Sequence, residues 1–292
     1  MERIHKILSD NWAMRRQEFE NLASILLPCI VNGTPEGLAG IIQEKIDAAS
    51  LISDTQIVRE WDLLWDEEIQ PGSVLMIPLT GMLYSWRTAG LVEVLKKAAR
   101  NPNIAGVVLS IDGPGGMTAH VERAARILRE MEKPTATVVT DTMASAHFWI
   151  GTATDRVFVA SPLCELGSVG VVITYVSFRE YYKKNGIDYR AIYPDTADLK
   201  NKAVRAIDDD NDESLIKERA EKLHLAFSND VALQLGVAYD PELPLFRGET
   251  FNGEEALAMG IADEMGDVEK AVEWIRLQSD IREANRYFSS NR

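Results

Sequence analysis

The residues best placed for chemistry lie in the stretch Asp141-Thr142-Met143-Ala144-Ser145-Ala146-His147-Phe148-Trp149-Ile150. A short β-branched run, Thr135 to Thr140, precedes it and reads as a buried strand. An apolar run of small and aromatic residues, Phe148 to Thr154, comes after it and reads as a buried helix. Ser145 therefore falls where a strand ends and a helix begins. A hydroxyl on such a corner is held rigidly. The N–H groups of the helix's first turn lack intrahelical partners and place partial positive charge beside it. That suits a nucleophile, and it equally suits a helix N-cap, for which serine is favoured. His147, two residues along, projects from a different face of the helix, out of reach of the Ser145 hydroxyl, and reads as pocket lining.

A second candidate lies upstream. The strand-like run Gly106 to Ile111 leads into Asp112-Gly113-Pro114-Gly115-Gly116. Glycine lets a backbone N–H approach a bound group with no Cβ in the way. No Lys-Ser/Thr comes next, so this is not a phosphate-binding loop.

The elements that must position these corners alternate. A strand at Val74–Leu79 precedes a helix at Leu91–Ala99. The glycine corner is followed by a helix from Val121 to Met131, and the serine corner by a strand at Arg156–Ala160. That order predicts an α/β fold with a largely parallel sheet, whose ligands bind at strand ends. Further on, the pattern predicts a helix over 174–185, a strand over Asp188–Tyr193 and a polar irregular stretch from Asp195 to Glu213. A long amphipathic helix from Leu215 to Leu235, a short helix ending at Gly260 and a final helix over Asp267–Leu277 complete the series. Residues 1–65 read as a helical amino-terminal extension. Thr34 and Pro35 start one helix there, with Leu38, Ile41, Ile42 and Ile46 on one face, and Trp12, Trp61 and Trp65 add apolar mass. The main domain is expected over 66–278, and a frayed polar tail over 279–292.

Composition narrows the function classes. The hydrophobic fraction of 46% is that of a globular protein, and the formal net charge of −14 argues against a nucleic-acid surface and against docking on anionic membranes. The two cysteines, Cys29 and Cys164, show no metal-type spacing, and a disulfide framework in a reducing compartment is not expected. No secretory signal or membrane span is expected, which points to the cytoplasm. No cofactor or metal motif is found.

Four segments, in order, resemble the family of signal peptide peptidase A, whose other large branch is the head-maturation proteases of tailed phages. They are Ser110-Ile111-Asp112-Gly113-Pro114-Gly115-Gly116; Met143 to Ile150; Leu166-Gly167-Ser168-Val169-Gly170-Val171; and Phe246-Arg247-Gly248 through Asn252-Gly253-Glu254-Glu255-Ala256-Leu257 to Gly260-Ile261-Ala262-Asp263. The resemblance implies a Clp protease/crotonase-like fold of repeated ββα units, a serine peptidase with a Ser–Lys dyad, and a homo-oligomeric ring. It makes Ser145 the nucleophile and places the base after the strand ending at Tyr193. The choice there is Lys200, three residues after Ala197 where the family often has glycine, with Lys202 as the alternative. Ser168 matches a serine that aims the lysine amine; it also reads as a tight-turn residue. The oxyanion donors would be the N–H groups of Gly115 or Gly116 and of Ala146, although the family commonly has Ser-Pro-Gly-Gly where this chain has Gly113-Pro114-Gly115-Gly116. His147 is bulky where the family often has small residues, and is expected to narrow the substrate groove. A lysine of ordinary pKa, ~10.4, stays protonated at neutral pH, so the dyad needs an amine stripped of water, on assembly or substrate binding. The expected function is an ATP-independent endopeptidase acting on phage capsid or scaffold proteins, in the cytoplasm or in a phage prohead. The alternatives are a peptidase clearing cleaved signal peptides, a crotonase-type acyl-CoA enzyme and a non-catalytic assembly protein.

Overall fold

A computed structural model describes residues 11–14, 50–52, 57–59 and 69–290. In chain order these form β1 (Asn11–Met14), β2 (Ser50–Ile52), β3 (Ile57–Arg59), β4 (Ser73–Leu83), α1 (Ser85–Arg100), β5 (Ile104–Met117), α2 (Val121–Arg129), β6 (Thr135–Ala144) and α3 (Ala146–Gly151). They continue as β7 (Arg156–Val159), β8 (Glu165–Gly167), β9 (Val172–Ile173), α4 (Arg179–Lys184), α5 (Lys202–Asp210), α6 (Ser214–Gln234), β10 (Thr250–Asn252), α7 (Gly253–Ala258), β11 (Glu264–Met265) and α8 (Val268–Ser290).

Strands β4, β5, β6, β7 and β11 lie parallel to their neighbours in that order. Successive side chains on a strand point to opposite faces. Leu75, Ile77, Val107, Leu109 and Val139 therefore join one core with α1, α2 and α3, while Val74, Val108, Ala136 and Val138 join a second core with Ala271, Val272 and Ile275 of α8. Both faces of the sheet are covered, which is why its strands are apolar throughout.

The long strands break register near their ends. β4 shifts between Thr80 and Met82 and β5 between Ile111 and Gly113. β6 pairs with β7 through Val139 and then with β8 from Thr142 to Ala144. Such irregularities bend a strand and re-aim the residues beyond the break. Each of β4, β5 and β6 is thus a strand, a second strand segment and then a helix: the expected ββα unit, repeated.

Several expectations need correction. The described stretches within residues 1–65 are strands rather than helix: β2 and β3 form a hairpin added antiparallel to β4, and β1 pairs with β5 and β9. Their β-branched and aromatic residues suit the free edges they cover. The helix expected after Thr34 lies outside the described residues, as do Trp61 and Trp65. The strand expected over Asp188–Tyr193 is absent: the segment is irregular, with Tyr189 and Ile192 exposed at 70% and 90%. Apolar alternation makes a strand only where a neighbour supplies the ladder, and none of the described strands does so here. Helix α5 occupies part of the stretch expected to be irregular, and α4 covers only the end of the helix expected over 174–185. The tail is helical to Ser290, held where Arg282 donates to the Glu132 carbonyl and to Asp155 Oδ2 at 2.7 and 3.0 Å.

Candidate active site

The bent ends of β5 and β6 bring the two corners together. Gly113 of β5 pairs with Met143 of β6, and Ala144 pairs with Gly167 of β8. Ser145 is the next residue and has φ 55° and ψ −116°. A non-glycine residue held in such a conformation costs roughly 1–3 kcal/mol and persists only where its surroundings impose it. Those surroundings are visible. The Ser145 N–H donates to the Gly167 carbonyl at 2.8 Å, and its own carbonyl accepts from the Trp149 N–H at 2.9 Å. The side chain makes no capping bond to α3. Ser145 is 1% exposed and, among the described residues, its hydroxyl has no hydrogen-bond partner. The N-cap reading therefore fails on geometry.

The segment around Ser168 supports the same corner. Ser168 has φ 58° and is half-buried, and its N–H donates to the Glu249 carbonyl at 2.8 Å. The carboxy-terminal signature folds against it: β10 runs antiparallel to β8, with Thr250 opposite Gly167. Asn252 then caps α7, its side chain accepting from the Glu255 N–H while Glu255 accepts from the Asn252 N–H. Two of the four sequence signatures thus hold the nucleophile's backbone in place.

The glycine corner is not a turn but the second half of β5. Gly115 takes φ 113°, which a side chain disfavours, and a Cβ on Gly116 would lie 2.1 Å from the Leu83 carbonyl oxygen. Its outer edge carries β1, with Ala13 opposite Gly116 and Met14 opposite Gly115, and β1 reaches β9 through Trp12 and Val172. On the inner side, the Gly115 N–H donates to His147 Nδ1 at 3.0 Å. His147 is fully buried, and its pKa falls to about 3, first because burial penalises its charged form and then because of the Arg87 cation. The ring is neutral, with its proton on Nε2, which has no partner. Since the Ser145 hydroxyl also has none, no bond joins the two side chains, as their two-residue spacing predicts. His147 lines no open groove here.

Lys200 and Lys202 are exposed: Lys200 lies in the turn after the 3₁₀ helix Asp195–Ala197, and Lys202 opens α5. Among the described residues, neither is hydrogen-bonded to the Ser145 hydroxyl. The structure brings Ser145, Ala146, Ser168 and the glycine strand together, and both lysines are exposed.

One supporting residue has no motif. Asp230 of α6 accepts from Trp149 Nε1 at 2.6 Å and from Arg129 at 2.7 Å, and Phe227, a turn earlier, stacks on Trp149 at 4.5 Å. These contacts clamp α3, and with it Ser145, between α2 and α6. The only sequence signal is an acidic residue three positions from an aromatic one on an amphipathic helix.

The sequence pattern of peptidase family S49 matches residues 127–282, more than half of the chain. The chain belongs to peptidase family S49. The match includes the Ser145 corner, the Ser168 segment and the carboxy-terminal signature. Among its relatives, the chain is 25% identical to head-tail preconnector protein GP5 of Enterobacteria phage P21 over 68% of its own length and 42% of that protein's. It is 25% identical to capsid assembly protease C of Escherichia phage lambda over 72% of its length and 50% of the relative's. A putative signal peptide peptidase SppA of Enterococcus faecium is 24% identical over 65% and 56%. The chain spans about half the length of these curated relatives. Among solved structures, a mutant of a membrane-bound stomatin-specific protease aligns with a TM-score of 0.47 and 14% identity, over 69% of this chain and 83% of the other. Among the described residues, no helix is long and apolar enough to cross a membrane, and no cluster of His, Cys, Asp or Glu could hold a metal.

Proposed function

We propose that this S49 chain is an ATP-independent serine endopeptidase, with Ser145 as nucleophile and Lys200 as base, acting on phage capsid or scaffold proteins. The observation that carries the reading is the Ser145 hydroxyl, buried on a strained corner with no partner. Buried polar atoms in folded proteins are almost always paired, and exceptions concentrate at functional sites.

In the reaction, Oγ attacks the scissile carbonyl as its proton passes to the neutral lysine amine. The tetrahedral oxyanion is held by the N–H groups of Gly116 and Ala146, because that of Gly115 is engaged by His147. The C–N bond breaks as the lysine returns the proton to the departing amine. Water then hydrolyses the acyl-enzyme by the same route in reverse. Ser168, beside the nucleophile, would orient the amine.

The lysine's arrival is assigned to assembly into a homo-oligomeric ring or to substrate binding. Tyr175, Val176, Tyr189, Ile192, Leu199 and Val204 surround it in sequence and are all exposed. A neighbouring subunit covering them would also strip water from the amine and lower its pKa. The substrate would bind extended: β1 already lies antiparallel along Gly115–Met117, and a polypeptide strand in that place would reach the nucleophile. The capsid-protein substrate is suggested by the name of the lambda relative, and a host-cell cytoplasm or prohead location goes with it.

The test is nucleotide-free cleavage of an unfolded polypeptide and of phage capsid and scaffold proteins, followed by mass spectrometry. Cleavage is expected to be lost in Ser145→Ala and in Lys200→Ala. Loss in Lys202→Ala instead would move the base, and undiminished cleavage by Ser145→Ala would overturn the reading.

A further inference from the structure

His147 lies in the nucleophile segment where the family often has a small residue, and it sits under the strand that faces the nucleophile. Its imidazole is wedged into β5. A Cβ built on Gly113 would lie 2.3 Å from His147 Cε1 on one side and 2.5 Å from the Gly81 carbonyl oxygen on the other. Gly81 is fixed in turn by Arg87, a buried cation donating to the carbonyls of Thr80 and Met82 at 2.7 and 2.9 Å. Between the Gly81 bulge of β4 and the ring, Gly113 leaves no room for a side chain, and Arg87 braces the bulge from its other side. The ring's Nδ1 accepts the Gly115 N–H.

From this we infer that His147 is a positioning residue for the oxyanion hole: it fixes the Gly113–Gly116 backbone so that the Gly116 N–H meets the developing oxyanion. The inference rests on the peptidase reading for its catalytic consequence. Gly115 has φ 113°, with no side chain to limit its rotation, and its N–H finds its acceptor on the ring, so losing that acceptor loosens a peptide plane otherwise held only by its places beside β4 and β1. The bond needs a neutral ring with Nδ1 unprotonated, and burial beside the Arg87 cation keeps it so. It also makes His147 unsuitable as the base, since the nitrogen that could take a proton is the one already engaged.

The acceptor can be separated from the ring's bulk. Asparagine places its side-chain oxygen close to the position of Nδ1, whereas leucine fills the volume with no acceptor. His147→Leu is expected to slow fluorophosphonate labelling of Ser145 and to lower kcat by about 10–100-fold with KM within about twofold, because small misplacements of transition-state donors act on kcat. His147→Asn is expected to retain activity within a few-fold. Hydrogen exchange of the segment 112–117 is read in parallel: the Gly115 amide is protected in wild type and His147→Asn and exposed in His147→Leu. Should the leucine variant not fold, His147→Gln, whose acceptor reaches past the Nδ1 position, replaces it. Equal loss in the asparagine and leucine variants, or a change confined to KM, would overturn the inference in favour of a pocket wall. Exchange does not depend on catalysis, so unlabelled wild type with a protected Gly115 would remove the peptidase reading while leaving the clamp standing.

Discussion

Replacing Ser145 by alanine separates a nucleophile from a structural serine by the sign of its effect on stability. Ser145 is 1% exposed and its hydroxyl has no partner among the described residues. An unmade hydrogen bond by a buried hydroxyl costs about 1–3 kcal/mol. Alanine deletes that oxygen and keeps the Cβ, so the strain at φ 55° is unchanged and the loss of the orphan group dominates. Ser145→Ala is therefore expected to stabilise the fold by about 1–2 kcal/mol, a rise in Tm of about 2–6 °C for a domain of this size. Ser145→Gly, which also relieves the strain, is expected to do at least as well. A helix N-cap behaves oppositely, since its loss costs about 0.5–2 kcal/mol. Calorimetric unfolding of wild type and both variants in one buffer gives the answer. A lowered Tm in Ser145→Ala, with the fold intact, would refute the argument that the site stores an unsatisfied hydroxyl.

Asp230→Ala leaves the Trp149 N–H and the Arg129 guanidinium without their acceptor, and is expected to cost about 2 kcal/mol in urea unfolding and to slow Ser145 labelling through the loosened α3. Ala13→Pro removes one N–H from β1 and is expected to accelerate labelling severalfold by freeing the edge of Gly115–Met117; a synthetic peptide of residues 8–16 should then slow it again. His147 gives a pH signature: its folded pKa, about 3, lies below the unfolded value near 6.5, so the unfolded chain binds the extra proton between them. The stability from this group is complete above pH 6.5 and is lost as pH falls towards 3. Between pH 7 and pH 5 the fall is about 2 kcal/mol, and it should be missing from His147→Asn in urea titrations.

The Ser145 corner is legible because two local signals agree there: a β-branched run stops and an apolar helical run starts close by. The parallel sheet is read from the same alternation, and the glycine motif marks the strand beside the nucleophile. What is illegible depends on distant partners. Glycines in Gly113-Pro114-Gly115-Gly116 read as a corner beyond a strand's end, and continue the strand only because Leu83 and Met143 lie alongside. Tyr189 to Tyr193 alternate like a strand, but no neighbour offers a ladder. β1 and β2 pair with strands far along the chain, and β3 follows β2 as its hairpin partner. The two-residue spacing of Ser145 and His147 excludes a hydrogen bond between them, but it is silent on the Gly115 N–H, 32 residues upstream, that His147 holds. Asp230 is likewise one acid among many until α6 docks on Trp149.

The claim on which the rest depends is that Ser145 is a nucleophile. Wild-type protein treated with a fluorophosphonate probe under assembling conditions, digested and mapped by mass spectrometry, addresses it directly. One adduct is expected, on the peptide bearing Ser145, absent from Ser145→Ala and from Lys200→Ala. An adduct on another serine, or one that persists in Ser145→Ala, would contradict it.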